Sequence, residues 1–341
     1  MAQSIASSAG LKRAIKVNVT ILGAGAFGTA LARVIALNQH AVTLWGHKAE
    51  QLREIQAAGE NARHLPGIKL PCDLKFQADL SAACEGANVI VLALPSRAFR
   101  EVGSQLGNCS AILVSVTKGI EFDSGLTMTG VLEEVCPSAK VAGLSGPSLA
   151  MEVARDIPTA VVASATSTEV AETVQQIFHR PSFRVYTGKD LLGIELGGAL
   201  KNVIAIAAGI CDGLGFGDNA KAALITRGIV EMRRIGVACG AQPDTFSGLS
   251  GLGDLTVTCF SKLSRNRALG ERIGSGEKIS EILASLTSVT EGVPTARSAH
   301  QLAQAKGIDD PIIREVYSIL HEAKNPKHAL YDLLSRGSKA E

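Results

Sequence analysis

The sequence predicts an α/β domain built on a parallel sheet, followed by an all-helical domain. Through the first half, short apolar β-branched runs alternate with helix-length stretches, the pattern of βαβ units covered on both faces. Near residue 190 the strand-like runs stop and long helical segments take over. A chain of 341 residues favours two domains and is ample for a large core.

In chain order, the candidate strands are 17–22 (VNVTIL), 41–45 (AVTLW), 88–94 (NVIVLAL), 111–117 (AILVSVT), 140–145 (KVAGLS) and 159–164 (TAVVAS). Helical segments follow at about 191–211, 219–239, 265–274, 278–285, 293–306 and 310–323. A boundary near Lys189 therefore divides residues 16–189 from 190–336, with no low-complexity linker and no internal repeat.

Composition narrows the function classes. Hydrophobic residues make up 46% and charged residues 19%, the balance of a globular chain. Aromatics at 4% leave little from which to build stacking platforms for single-stranded nucleic acid. A net charge of +2 argues against a polyanion-binding surface, though a small anion needs only a few local cations. The seven cysteines are scattered without CxxC, and the histidines without HExxH, so neither a disulfide framework nor a metal centre is expected. The start of the chain reads as a short loose leader. No apolar run is expected to approach the ~20 residues of a membrane span. A cytoplasmic protein with reduced thiols is expected.

In "VTILGAGAFGTALARVIA", Gly23, Gly25 and Gly28 form G-x-G-x-x-G directly after a strand and at the opening of a helix. Such glycines permit a tight turn, let backbone approach a pyrophosphate and let helix pack on strand, while the helix N-terminus offers free N–H groups. The motif alone is weak, but the strand, helix and second strand all fall where it requires them. The plainer alternative is a glycine turn that merely packs well. After the second strand come Gly46, His47 and Lys48, with no acid before Glu50. The missing carboxylate and two potential cations suggest that NADP is accepted or preferred; a solvated helix start explains His47 and Lys48 equally well.

Ligands of open α/β sheets gather beyond the carboxyl ends of the strands. Three ends carry suitable groups: Pro95 and Ser96; Thr117 and Lys118; Ser145, Gly146 and Ser148. Lys118 points into the crevice or is a solvated loop lysine. In the helical half, Asp254 follows a glycine-rich turn, and Ser264, Arg265, Asn266 and Arg267 stand where a helix begins. That grouping is either an anion receptor or a capped, exposed helix start. Lys201 interrupts the apolar run "GGALKNVIAIAAG". Leu196, Leu200, Ile204 and Ala208 surround it at helical spacing, which favours burial near a counter-charge such as Asp254 over escape to solvent.

The chain resembles bacterial NAD(P)-dependent glycerol-3-phosphate dehydrogenases from about Lys16 to Leu334. The resemblance is carried by "GAGAFGTALA", "LWGH", "TKGIE", "SGPS", "GGALKNVIAIAAGICDGLGFGDNAKAALITRG", "GLGDLTVTC", "SRNRALG" and "EGVPTA". It implies an α/β Rossmann-like N-terminal domain plus an all-α C-terminal domain (6-phosphogluconate-dehydrogenase-like), usually in a homodimer. It implies reversible reduction of dihydroxyacetone phosphate to sn-glycerol 3-phosphate, the entry to phospholipid backbone synthesis. By this resemblance Lys201 is the acid/base, and Lys118, Gly146, Ser148, Asp254, Ser264, Arg265 and Asn266 touch substrate. Gly23, Gly25, Ala26, Phe27, Gly28, His47, Lys118, Ala150, Arg265, Val289 and Glu291 match nicotinamide-cofactor contacts, and no metal is involved. The chain departs from the family at Leu149, Met151 and Pro294, where an aromatic residue, a lysine and a basic residue are common. Two rivals remain: a related hydroxyacid or phosphogluconate dehydrogenase, and a catalytically silent NAD(P)-binding redox sensor. A hydrolase is excluded by the lack of G-x-S-x-G.

Overall fold

The computed structural model describes residues 16–286 and 289–335. The expected leader and Arg336, at the end of the expected second domain, lie outside the described residues. Eight strands form one sheet: β1 (Asn18–Leu22), β2 (Ala41–Trp45), β3 (Lys75–Gln77), β4 (Val89–Leu92), β5 (Ile112–Ser115), β6 (Lys140–Ser145), β7 (Thr159–Ala165) and β8 (Phe183–Gly188). Their order is β3-β2-β1-β4-β5-β6-β7-β8, so chain direction across the sheet reverses between β1 and β4.

The central strands are apolar on both sides because both sides are covered. In β4, Val89 and Val91 join one core while Ile90 and Leu92 join another, the period-two alternation of a pleated strand. Helices α1 (Ala26–Leu37), α6 (Ala150–Ala154) and α7 (Thr168–Phe178) contribute to the first core. Helices α3 (Leu80–Cys84), α4 (Ser96–Ser104) and α5 (Met128–Val135) contribute to the second. Between β2 and β3 lies α2 (Ala49–Ala58).

Two strands depart from the parallel expectation. β7 pairs antiparallel with β6, and β8 runs parallel to β7. The cause is the connection after β6, whose only helix, α6, has 5 residues. A helix that short advances about 8 Å, too little to carry the chain back along a strand of about 20 Å. β7 therefore starts at the end of the sheet where β6 stops. The 3-residue β3 and the 6-residue β8 were not expected from sequence: β3 is too brief to show a period, and β8 is half exposed and alternates only over its first four residues.

From Leu191 onward the described residues form no strand. A 23-residue helix, α8 (Leu191–Gly213), runs through the middle of this half and is buried from Gly193 to Ile210. Asp190 caps it, accepting hydrogen bonds from Gly193 N at 2.9 Å and Thr245 Oγ1 at 2.6 Å. Around it pack α9 (Asp218–Ala238), α10 (Asp254–Phe260), α11 (Arg265–Gly274), α12 (Ile279–Ser285), α13 (Gly292–Ala305), α14 (Pro311–His321) and α15 (Pro326–Leu334). The expectation about apolar runs is corrected here: α8 is long and apolar enough to cross a membrane by length and composition. Its most apolar window is, however, 83% buried inside the protein, as befits a helix apolar on nearly all sides. Glu195 and Lys201 break the run in sequence without breaking the helix.

Candidate active site

The glycine loop joins β1 to α1 at the switch point of the sheet. Gly23 has φ +122°, and a Cβ there would lie 2.3 Å from the carbonyl oxygen of Ala93. At Gly28 a Cβ would lie 2.0 Å from the Gly23 carbonyl oxygen. Both glycines are thus demanded by the fold itself. At Gly25 a Cβ would meet nothing within 4 Å, so packing gives no reason for glycine there. The remaining reason is close approach of a ligand to the backbone at the start of α1, which suits a dinucleotide pyrophosphate. Ala26 opens α1, and Phe27 and Ala150 flank the loop, both partly buried against the first core. His47 and Lys48 stand exposed after β2.

At the carboxyl ends of β5 and β6, Lys118, Gly146 and Ser148 come together. The Gly146 carbonyl accepts from Lys118 Nζ and from Ser148 Oγ, each at 2.9 Å. Gly146 has φ +142° with Val161 Cα 3.0 Å from a Cβ position, so a side chain fits neither the conformation nor the space. Across from it lies α8, whose Gly198 leaves room for the Lys118 stem, 3.4 Å from where a Cβ would stand.

Lys201 is 6% exposed and does not reach solvent. Its Nζ lies 2.9 Å from Asp254 Oδ1 and donates to Thr258 Oγ1 at 2.7 Å. The other oxygen of Asp254, itself 1% exposed, accepts from Lys118 Nζ at 2.5 Å. One buried carboxylate therefore holds two ammonium groups, one from each half of the chain. Asp254 sits on the first turn of α10, directly after the wide π-helical turn that "LSGLG" forms at Leu249–Gly253. Thr258, one turn further on, places its hydroxyl back at the Asp254 backbone carbonyl at 2.6 Å.

These groups set one another's protonation. Burial pulls the Lys201 ammonium down to about 8; Asp254 opposes that shift and the charge of Lys118 adds to it. Burial alone would raise the Asp254 carboxyl, but the two lysines outweigh it and hold it below its usual range. A carboxylate between two ammonium groups leaves a surplus positive charge, suited to negative charge developing on an oxygen nearby.

The residues expected to form an anion receptor at the start of α11 make the following contacts within the protein. Ser264 caps the helix, accepting from Arg267 N at 3.2 Å. Arg265 is exposed, and its Nη1 donates to the Val289 carbonyl at 2.6 Å. Asn266 is buried: its Nδ2 donates to Asn202 Oδ1 at 2.8 Å and its Oδ1 accepts from Gly292 N at 2.9 Å. Only one amide hydrogen of Asn266 remains for a ligand, so this residue chiefly ties α11 to α8 and α13. Glu291 reaches back to the other half, accepting from Ser96 N at 3.1 Å and Ser96 Oγ at 2.5 Å. Burial raises its carboxyl, against those two bonds.

Sequence reasoning anticipated the contact of Lys201 with Asp254 but missed Thr258 and Asn202. Thr258 carried a usable signal, since it stands four residues after Asp254 on one helix face. Asn202 did not, because its partner lies 64 residues away.

A family model described as the N-terminus of NAD-dependent glycerol-3-phosphate dehydrogenase matches residues 18–171, and one described as its C-terminus matches residues 190–331. A glycerol-3-phosphate dehydrogenase (NAD(P)+) from Chlorobium phaeobacteroides is 47% identical over 329 residues, covering 95% of this chain and 98% of its own. One from Geobacillus thermodenitrificans is 48% identical over 330 residues, covering 95% and 96%. The crystal structure of glycerol-3-phosphate dehydrogenase from Coxiella burnetii superposes with a TM-score of 0.91 at 39% identity, covering 94% and 99%.

Proposed function

Because the chain belongs to the NAD-dependent glycerol-3-phosphate dehydrogenase family, we propose that it reversibly reduces dihydroxyacetone phosphate to sn-glycerol 3-phosphate for glycerophospholipid synthesis. The observation that carries this reading is the buried Lys201, held by Asp254 beside Lys118 in the crevice between the two halves. Residues 16–189 serve as the dinucleotide-binding unit and 190–336 as the substrate-binding unit.

When bound, the NAD(P)H coenzyme supplies the hydride that reduces the substrate carbonyl carbon. Gly23, Gly25, Ala26, Phe27, Gly28, His47, Lys118, Ala150, Arg265, Val289 and Glu291 would hold that coenzyme. Lys201 gives its proton to the C2 oxygen in reduction and takes the hydroxyl proton in oxidation. Asp254 and Thr258 fix Nζ for that transfer. Arg265, with the Ser264 hydroxyl and the free N–H groups at the start of α11, receives the substrate phosphate. Lys118, Gly146, Ser148 and Asn266 complete the substrate contacts, and much of their effect is positioning.

A cytoplasmic homodimer completes the proposal. The exposed Leu252 and Phe260 of one groove support a covered apolar face, and light scattering on the purified protein tests the dimer. The reaction itself is tested by following NADH and NADPH separately with dihydroxyacetone phosphate. Oxidation of either cofactor bears the reading out. Turnover of 3-hydroxy acids with none of the triose phosphate overturns it.

A further inference from the structure

The start of α11 carries two arginines in opposite situations. Arg265 and Arg267 stand two residues apart, so they leave the helix on different sides. Arg265 is exposed, whereas Arg267 is buried and takes no part in the substrate contacts proposed above. Its Nη2 lies 2.7 Å from Asp212 Oδ2, and its Nη1 lies 3.2 Å from Glu271 Oε2. The other oxygen of Asp212, Oδ1, lies 2.6 Å from Nζ of the buried Lys221. On the strength of the dehydrogenase reading, we infer that Asp212, acting through Arg267, is a positioning residue for the substrate phosphate. It thereby sets the preference for a phosphorylated ketone over a free one.

Three helices meet at that carboxylate. Asp212 lies in the last turn of α8, Lys221 near the start of α9 and Arg267 in the first turn of α11. A fourth, α10, supplies the ring of Phe260, 5.1 Å from Lys221 Nζ. Arg267 carries this restraint into the receptor. Its backbone N–H donates to Ser264 Oγ at 3.2 Å, which leaves the Ser264 hydroxyl hydrogen for a phosphate oxygen. Asn266, between the two arginines, is tied to Asn202 and Gly292. The buried side of this turn is thus held at two successive residues, while Arg265 is presented outward.

One carboxylate between two cations is also the arrangement at the reaction centre, where Asp254 holds Lys118 and Lys201. The two groups are neighbours: Cys259, buried on α10, feels the charges of Lys201 and Asp254 as well as those of Lys221 and Asp212. Removing a carboxylate from between two buried cations leaves them to repel each other uncompensated. Arg267 then shifts, and the turn that bears Ser264 and Arg265 shifts with it. A displacement of about 1 Å at a positioning contact can cost ~10²-fold in rate. Dihydroxyacetone has no phosphate and makes no use of that turn.

Steady-state kinetics with the two ketones tests this. For Asp212→Asn, kcat/KM for dihydroxyacetone phosphate should fall ~10- to 100-fold, while that for dihydroxyacetone changes less than about threefold. Competitive inhibition by inorganic phosphate should weaken in step, and Asp212→Glu, which keeps the carboxylate, should recover part of the preference. Lys221→Met loosens Asp212 without removing it and should move the ratio the same way by less; it is the deciding variant if Asp212→Asn does not fold. Equal falls for both ketones, or an unmoved ratio in the deciding variant, overturns the inference. An unsubstituted protein that reduces neither ketone overturns the dehydrogenase reading itself. One that reduces both equally well overturns the phosphate receptor, and the role of Asp212 with it.

Discussion

Burial and the Lys118 charge strip the proton from the Lys201 ammonium, while Asp254 chiefly retains it. With the group poised at about 8, kcat/KM for ketone reduction should be level below that pH and fall above it. The reverse oxidation should rise through the same pH, because it needs the neutral amine. Asp254→Asn removes the largest influence that raises the value, so the limb should move to lower pH. An unmoved limb in that variant would separate Lys201 from the observed titration. Lys201→Ala should lose most turnover, ~10²-fold or more for an absent general acid, with coenzyme affinity nearly intact by titration. Both residues were legible in the sequence, since a charge inside an apolar helix has few ways to be satisfied. The commitment of Asn266 to Asn202 and Gly292 was not, because hydrogen bonds between distant elements leave no periodic trace.

At the scale of elements, the crossing of α8 and α11 places the proposed phosphate receptor against the lysine. The two backbones touch: a Cβ at Gly209 would lie 2.0 Å from the Arg267 carbonyl oxygen, and one at Gly270 would lie 2.0 Å from that of Ile206. Gly213 and Gly274 repeat the contact one turn along, meeting Glu271 and Ile210. Gly270→Ala should therefore push the helices apart, costing about 1–3 kcal/mol in denaturant unfolding. It should also raise KM for the triose phosphate more than it lowers kcat, because Arg265 moves with α11. The helices of this half were legible from period and length, but their glycine contacts were not. "AAG" (207–209) and "ALG" (268–270) name small residues without naming the neighbour that needs them small. Likewise, the strand pattern revealed the cores on both faces of β4, whereas the reversal of β7 depended on how far a 5-residue helix can travel.

Over the whole molecule, two buried carboxylates make stability depend on pH. Glu195 on α8 accepts from Thr129 N at 3.0 Å and from the Thr129 hydroxyl, joining the helical half to α5. Glu231 on α9 accepts from Ile312 N and Ile313 N at 3.0 and 2.8 Å. Burial pushes each carboxyl up to about 7. A raised carboxyl keeps its proton in the folded state, so its contribution is complete below about 4.5 and is lost as pH rises through about 7. Glu195→Gln mimics the protonated form. It should raise the thermal midpoint at pH 8, by up to ~3 kcal/mol of stability, and give no gain at pH 4.5. Equal midpoints at pH 8 would show that the carboxyl is ionised at little cost.

The length of α8 has a further consequence during synthesis. Until α9, α11 and α13 have followed it out of the ribosome, this helix, about 35 Å long, presents a surface that lipid would accept. Lys201 stands almost at its midpoint, where a lysine opposes insertion into a bilayer by ~2.5–3.5 kcal/mol. The residue proposed as proton carrier thus also opposes insertion of the nascent helix into lipid. Lys201→Leu should increase insertion of a reporter carrying residues 191–213, even though no catalysis is involved.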